Sequence, residues 1–305
     1  MVRLSPVAWS GHRANPSLPP RTLPLATRGR AAVSRIRGAA FGADFDERIR
    51  HVAKRYRGLD PFGLHVEAFR LIARAGAILH RLYFRTACFG MDHLPKGPAI
   101  LVANHSGQLP LDGLIVASAL LLDVTPGRAL RVALDPRLNR MPTFLAALGR
   151  FGHVPMDRGA LRALLDQGET VLVFPEGVAG LIKPYRHRYQ LRPFSPEFVE
   201  VARMTGAPIV PLAVIGAEEQ YINIANAERL TKLIGLPPVP VLPQWLVPGG
   251  QLPFPTRYRL HFAEPMRFAA GPANDDELAH RAWLVRQSVQ HILQQGLRER
   301  RSVFW

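Results

Sequence analysis

The sequence predicts an α/β protein with a largely parallel central sheet flanked by helices and preceded by an N-terminal amphipathic helical segment. Two observations carry that expectation. From residue 99 onward short apolar runs alternate with longer segments of helical character, and Gly, Pro or Asp marks most of the switches. In addition, 48 % of the 305 residues are hydrophobic, enough for a sizeable core.

Taken in order, residues 1–43 hold several arginines and no acid, with frequent Pro and Ser and no sustained period. They read as a basic disordered arm, with a transit peptide or a mistaken start site as the other readings. Residues 44–305 read as one domain. "FDERIRHVAKRYRG" begins with acids and ends at Gly58, the polarity of a short helix. In "PFGLHVEAFRLIARAGAILHRLYFR", Arg70, Arg74, Arg81 and Arg85 fall on one helical face, and Phe69, Ile72, Leu79 and Tyr83 on another. That geometry suits an interfacial membrane helix, so residues 44–90 are expected at a membrane surface, with an ordinary surface helix as the alternative.

The alternation then runs "AILVA" strand, "LIVASALLL" helix, "LRVAL" strand, "PTFLAALGR" helix and "GHVP" strand. It continues with "GALRALLDQG" helix, "ETVLVF" strand, "SPEFVEVARMTG" helix and "APIVPLAV" strand. Residues 217–256 interrupt it. Prolines at that density forbid regular helix or central strand, yet the segment is rich in Leu, Val, Trp and Phe. The core, a membrane or a bound acyl chain would have to cover it. "TRYRLHFAEP" returns as a strand, and Asn274 with Glu277 has capping-box spacing before a final helix.

Composition narrows function. The formal net charge of +16 favours anionic partners: nucleic acid, anionic lipid or a phosphorylated substrate. The single cysteine, Cys88, excludes a disulfide within the chain. No run approaches the roughly 18 to 20 apolar residues of a spanning helix. No Gly-x-Gly-x-x-Gly follows a strand, no Walker loop is present, and no spacing resembles a metal-ligand cluster, so neither metal nor nucleotide cofactor is expected.

The chemistry sits in "NHSGQLPLDG". An imidazole can take a proton from a hydroxyl at working pH, and a carboxylate on its other nitrogen fixes the tautomer. A helix over residues 105–112 would hold His105 and Asp112 about 10 Å apart, so the pair needs the chain to fold back. Gly107 and Pro110 supply turn chemistry there. Asp112 could equally be the N-cap of the following helix, and His105 a structural histidine.

"NHSGQLPLDG", "GHVPMDRG", "VFPEG" and "APIVPLAVIG" follow one another along this pattern. Together they resemble the glycerolipid acyltransferases, the superfamily of lysophosphatidate, glycerol-3-phosphate and monoacylglycerol acyltransferase-like enzymes, over roughly residues 60–270. The resemblance implies His105 as base and Asp112 as its orienting acid, although six residues separate them here where the family usually has four. It implies that Arg158 helps hold an acceptor phosphate, and that Glu176 and Gly177 lie beside the acceptor, Glu176 bonding glycerol hydroxyls or orienting Arg158. "KPYRHRYQLR" gathers Lys183, Arg186, Arg188 and Arg192 with two tyrosines. It could bind donor phosphates or anionic headgroups, could bind nucleic acid, or could be a solvated loop.

The resulting expectation is a peripheral acyltransferase on the cytoplasmic face of a membrane, in phospholipid biosynthesis. Acyl-CoA or acyl-carrier protein would be the thioester co-substrate and a glycerolipid hydroxyl the acceptor, with no nucleic-acid partner. A lysophospholipid is placed slightly ahead of mono- or diacylglycerol. A non-catalytic membrane-binding protein and a nucleic-acid-binding protein are the rival readings.

Overall fold

The computed structural model describes residues 34–305 apart from 57, 107–110, 136–141, 227–239, 270 and 272. Nine strands are described: β1 (Ala87–Phe89), β2 (Ala99–Ala103), β3 (Leu130–Leu134), β4 (His153–Pro155), β5 (Thr170–Val173), β6 (Ile209–Ile215), β7 (Ala225–Asn226), β8 (Pro240–Val241) and β9 (Arg259–Phe262). From residue 45 onward, the α-helices among the described residues are α1 (Phe45–Ala53), α2 (Val66–Ile78), α3 (Leu111–Leu122), α4 (Pro142–Gly149), α5 (Arg158–Asp166), α6 (Val178–Leu181), α7 (Glu197–Thr205) and α8 (Asp275–Glu299).

Seven strands form one sheet in the order β1-β9-β6-β2-β5-β3-β4. All neighbours are parallel except β6 and β9, so the expected α/β class holds. β2 lies at the centre with every residue buried, which is why "AILVA" is apolar throughout.

Strand alternation feeds two cores. Ile100, Val102, Val171 and Val173 face one side, where α5, α7 and α8 supply Leu161, Phe198 and Val289. Ala99, Leu101, Ala103 and Leu172 face the other, against Ile115, Val116, Ala119 and Leu120 of α3. A third cluster joins Phe45 and Ile49 of α1 and Phe69 and Ala73 of α2 to Leu121 and Leu122 at the end of α3. Asn274 caps α8 by accepting the Glu277 N–H at 2.8 Å, as the spacing predicted.

Three expectations are corrected. The disordered arm does not reach residue 43: residues 34–41 are helical, and Phe41 packs on Phe45 with ring centroids 4.7 Å apart. Residues 1–33 lie outside the described residues. The basic stripe also breaks. A π-helical turn, Leu79–Tyr83, follows α2 and shifts the register by its wider winding, and Arg85 leaves the helix at φ +46°. Arg70 bonds Glu67, Arg81 reaches the Ala40 carbonyl, and Arg85 bonds the carbonyls of Pro255 and Phe304. The apolar stripe is likewise occupied by the protein itself, since Phe69 joins the third cluster while Leu79 and Tyr83 pack on the α3 side of the sheet. One side of residues 66–83 thus packs on the protein, while Leu71, Arg74 and Ile78 stay exposed.

Among the described residues of the Pro-rich segment, short 3-10 turns and the β7-β8 pair are found. Trp245, Leu246, Val247 and Leu252 are exposed, Leu246 at 87 %.

Leu101 is fully buried between β2 and α3. Leu101→Ala is expected to lower unfolding free energy by about 2–5 kcal/mol, read from urea denaturation.

Candidate active site

The site forms where β2 and β5 end. Strand parity continues past Ala103, so His105 falls on the α3 side of the sheet. The chain then returns to open α3, and its first turn carries Asp112. His105 Nδ1 lies 2.7 Å from Asp112 Oδ2. The same oxygen accepts the Ser106 N–H at 3.1 Å, and Asp112 Oδ1 accepts the Gly113 N–H at 2.8 Å. An oxygen already accepting one N–H defines the pair: Nδ1–H donates, and Nε2 presents its lone pair. No hydrogen bond to Nε2 is found among the described residues. Asp112 is second in α3 and bonds within its own first turn; it is not the N-cap. Gly107 and Pro110, read as the turn, lie outside the described residues.

Glu176 fixes the backbone under the imidazole. Its Oε1 accepts the His105 N–H at 3.1 Å, and its Oε2 accepts the Arg192 N–H at 2.8 Å. Lys183 Nζ lies 3.2 Å from the same Oε2 and 3.2 Å from Glu218 Oε1. All three side chains are buried, Lys183 being 2 % exposed. Asn104 completes the support by exchanging two hydrogen bonds with the backbone of Val214 in β6, at 3.0 and 2.8 Å.

The ring of His105 stacks on Phe174, with centroids 4.1 Å apart. Gly113 packs against Phe174 and Val132, so the imidazole shares a wall with an apolar groove. The groove has a volume of about 300 Å³ and follows Leu111, Leu114, Ser118 and Leu121 along α3, with Ile72 and Phe151 opposite. From Leu111 to Leu121 that path is about 15 Å long. A small polar crevice of about 20 Å³ begins at Ser106 and is lined by Lys183, Tyr185, Arg188, Glu218, Tyr221 and Asn223. Ser106 Oγ is buried without a hydrogen-bond partner among the described residues. Arg188 stands over the Tyr185 ring at 4.4 Å and lies 4.0 Å from Glu219.

The remaining predicted site residues are placed differently. Glu176 is enclosed and bonded to protein, so it is not open to glycerol hydroxyls, and it does not orient Arg158. Arg158 pairs with Glu200 at 2.7 Å and is 57 % exposed. It follows β4, three strands from β2, which is about 14 Å across the sheet. Gly177 adopts φ +56° where a Cβ would strike the Asp135 carboxylate, so its role is the turn. Lys183 is held by two glutamates and cannot meet donor phosphates, while the exposed Arg186 bonds only its neighbour His187, at 3.1 Å. Arg188 lines the crevice together with Lys183, whose charge the two glutamates already meet.

Sequence reading missed Phe174, Ser106, Gly180 and Glu218. A Cβ on Gly180 would press on Glu176 Cβ at 2.9 Å and on the His105 carbonyl at 3.0 Å, so only glycine fits beneath the imidazole. The one available signal was Glu218-Glu219, an acidic pair at the start of the Pro-rich segment.

Comparison with known proteins follows the same blocks. Residues 85–215 match the model of the family described as Acyltransferase, which bears out the acyltransferase resemblance of the four blocks. Uncharacterized proteins of Mycobacterium tuberculosis, Mycobacterium bovis and Mycobacterium leprae are 35 % identical over 231 residues, 73 % of this chain. The chain spans just under two thirds of the length of these relatives, 64 % for the first two and 63 % for the third. The crystal structure of the 1-acyl-sn-glycerophosphate (LPA) acyltransferase PlsC from Thermotoga maritima aligns over 90 % of each chain, with 18 % identity and a TM-score of 0.49.

Burial, and secondarily the neighbouring Glu176, opposes ionisation of Glu218 against the attraction of Lys183, and its carboxyl is pushed up to about 7. Its folded value exceeds its unfolded one, so the folded state holds more protons between pH 4.5 and about 7. Stability is therefore expected to fall as pH rises through that window. Glu218→Gln is expected to flatten the decline, measured as urea midpoints at successive pH values.

Proposed function

Because residues 85–215 carry a domain of the Acyltransferase family, we propose that this protein is a glycerolipid O-acyltransferase, moving a fatty acyl group from a thioester donor to a glycerolipid hydroxyl. The observation that carries this reading is the His105–Asp112 pair, its Nε2 open beside an apolar groove long enough to receive part of an acyl chain. The acceptor hydroxyl donates its hydrogen bond to Nε2. As the oxygen attacks the thioester carbonyl carbon, His105 takes the proton. Asp112 holds the imidazole in position and stabilises its cation. The tetrahedral intermediate collapses with cleavage of the C–S bond, and the proton passes from His105 to the departing sulfur. The ester and a free thiol are the products. Cys88 lies outside this site, and no acyl-enzyme is needed.

The acceptor in this proposal carries a phosphate, as 1-acylglycerol-3-phosphate does. Arg188 supports it, because a guanidinium lining the crevice beside Ser106 can bond two phosphate oxygens. The placement of Arg158 with Glu200 supports the second reading, a neutral mono- or diacylglycerol acceptor. The donor is acyl-CoA or acyl-carrier protein. We place the protein peripherally on the cytoplasmic face of a membrane, with Trp245, Leu246, Val247 and Leu252 dipping into the lipid surface. No described helix is long and apolar enough to cross a membrane.

The test is acyl transfer by the full chain, using labelled acyl-CoA and acyl-carrier protein with lysophosphatidate, monoacylglycerol and diacylglycerol. His105→Ala is expected to lower kcat by about 10²–10⁴-fold, and Asp112→Asn by on the order of 10⁴-fold. Activity retained in both variants would exclude the pair as the catalytic base. In the same assay Arg188→Ala is expected to raise KM for lysophosphatidate more than Arg158→Ala does. The reverse order would return the phosphate to Arg158, and transfer confined to neutral glycerides would favour the second reading. Liposome binding without transfer from either donor would leave a non-catalytic membrane protein.

A further inference from the structure

We propose that His80, Cys88 and Asp123 form a binding site for a divalent transition-metal ion of zinc-like preference, separate from the His105–Asp112 site. The sequence gives no hint of it, since the donors come from three different elements. His80 lies in the π-helical turn after α2, Cys88 in the edge strand β1, and Asp123 directly after α3. Their ligand atoms all lie within 4.8 Å of one another. His80 Nε2 is 2.8 Å from Asp123 Oδ2, and Cys88 Sγ is 3.5 Å from the same oxygen.

Ordinary zinc bond lengths at tetrahedral angles set sulfur and oxygen donors about 3.5 Å apart and nitrogen and oxygen about 3.3 Å apart. The Cys88–Asp123 spacing already meets this, and the His80–Asp123 pair must open by about half an ångström. One nitrogen, one sulfur and one oxygen form a borderline-soft donor set, which suits zinc or cobalt and not magnesium or calcium. A thiolate and a carboxylate cancel the two positive charges, so the occupied site is neutral in a place where His80 is almost fully buried. Asp123 is 31 % exposed, which gives the ion a path from solvent.

Binding is balanced as follows. The Cys88 S–H proton is released to solvent as the sulfur–metal bond forms. The imidazole stays neutral, its proton moving from Nε2 to Nδ1. Without an ion, burial and the adjacent Asp123 carboxylate raise the Cys88 pKa and keep the thiol protonated. An ion here would clamp the end of α3 remote from Asp112 to the π-turn and to β1.

The experiment titrates the metal-free full chain with Co²⁺ and then Zn²⁺. The chain contains one cysteine, so any sulfur-to-cobalt charge-transfer absorption reports Cys88 alone. One equivalent of cobalt is expected to give that band with tetrahedral visible absorption, and zinc to displace it. In the unmutated chain, zinc is expected to slow alkylation of Cys88 by iodoacetamide, and a chelator to restore it. Asp123→Asn and His80→Gln, checked for native circular dichroism, are expected to weaken cobalt binding by at least the 10- to 100-fold that loss of an outer-shell partner costs. Absence of the thiolate–cobalt band, alkylation rates indifferent to zinc, or wild-type affinity in a folded Asp123→Asn would overturn the proposal.

Discussion

Lys183 Nζ sits out of water between Glu176 and Glu218, 3.2 Å from each, and the loops around His105 are organised by that arrangement. Withdrawing such charges from water costs several kcal/mol per ion, so the cluster persists only because each carboxylate has further donors. Glu176 takes the N–H groups of His105 and Arg192. Glu218 takes the Tyr189 N–H at 2.9 Å and lies 3.5 Å from Asn104 Nδ2. Four stretches of chain thereby meet at one point: the end of β2, the end of β5, residues 183–192 and the start of the Pro-rich segment. Removing Lys183 would leave both carboxylates buried without their cation, and breaking a buried pair in this way typically costs about 3–5 kcal/mol.

Helix α3 serves the site in two ways that follow from its apolar sequence. Its first turn presents the carboxylate that orients His105, and one stripe of its side chains lines the groove. Ile115, Val116, Ala119 and Leu120 meanwhile pack on the sheet, and Leu121 and Leu122 meet α1 and α2. A helix buried on nearly every face is fixed in rotation. The carboxylate of Asp112 is therefore held where it is by packing along the whole helix as well as by its own hydrogen bonds.

The charges are distributed differently from what residue type suggests. The formal charge of +16 reads as an anion-binding surface, yet many of the arginines bond carbonyls or carboxylates of the protein itself. Arg131 illustrates the limit: it is fully buried and paired with Asp60. The basic run at residues 183–192 divides in the same way. Lys183 is buried against two glutamates, whereas Arg188 is 40 % exposed.

The sequence by itself determined the α/β alternation, the apolar central strand and the cap of the last helix, while the pairing of His105 with Asp112 was implied by the resemblance of four sequence blocks to a family and left open by the residues alone. The first three rest on short-range periodicity or on two residues close in the chain. Tertiary structure decided what long-range partners decide. Glu218 lies 35 residues from Lys183 in the chain, and Glu176 bonds a backbone 71 residues away, so their burial was invisible in charged residues that ordinarily face water. The π-turn after α2 broke a helical face that a uniform period of 3.6 had drawn as continuous. The convergence of His80, Cys88 and Asp123 is of the same kind, since the order of the strands, and no spacing in the sequence, brings three elements to one point.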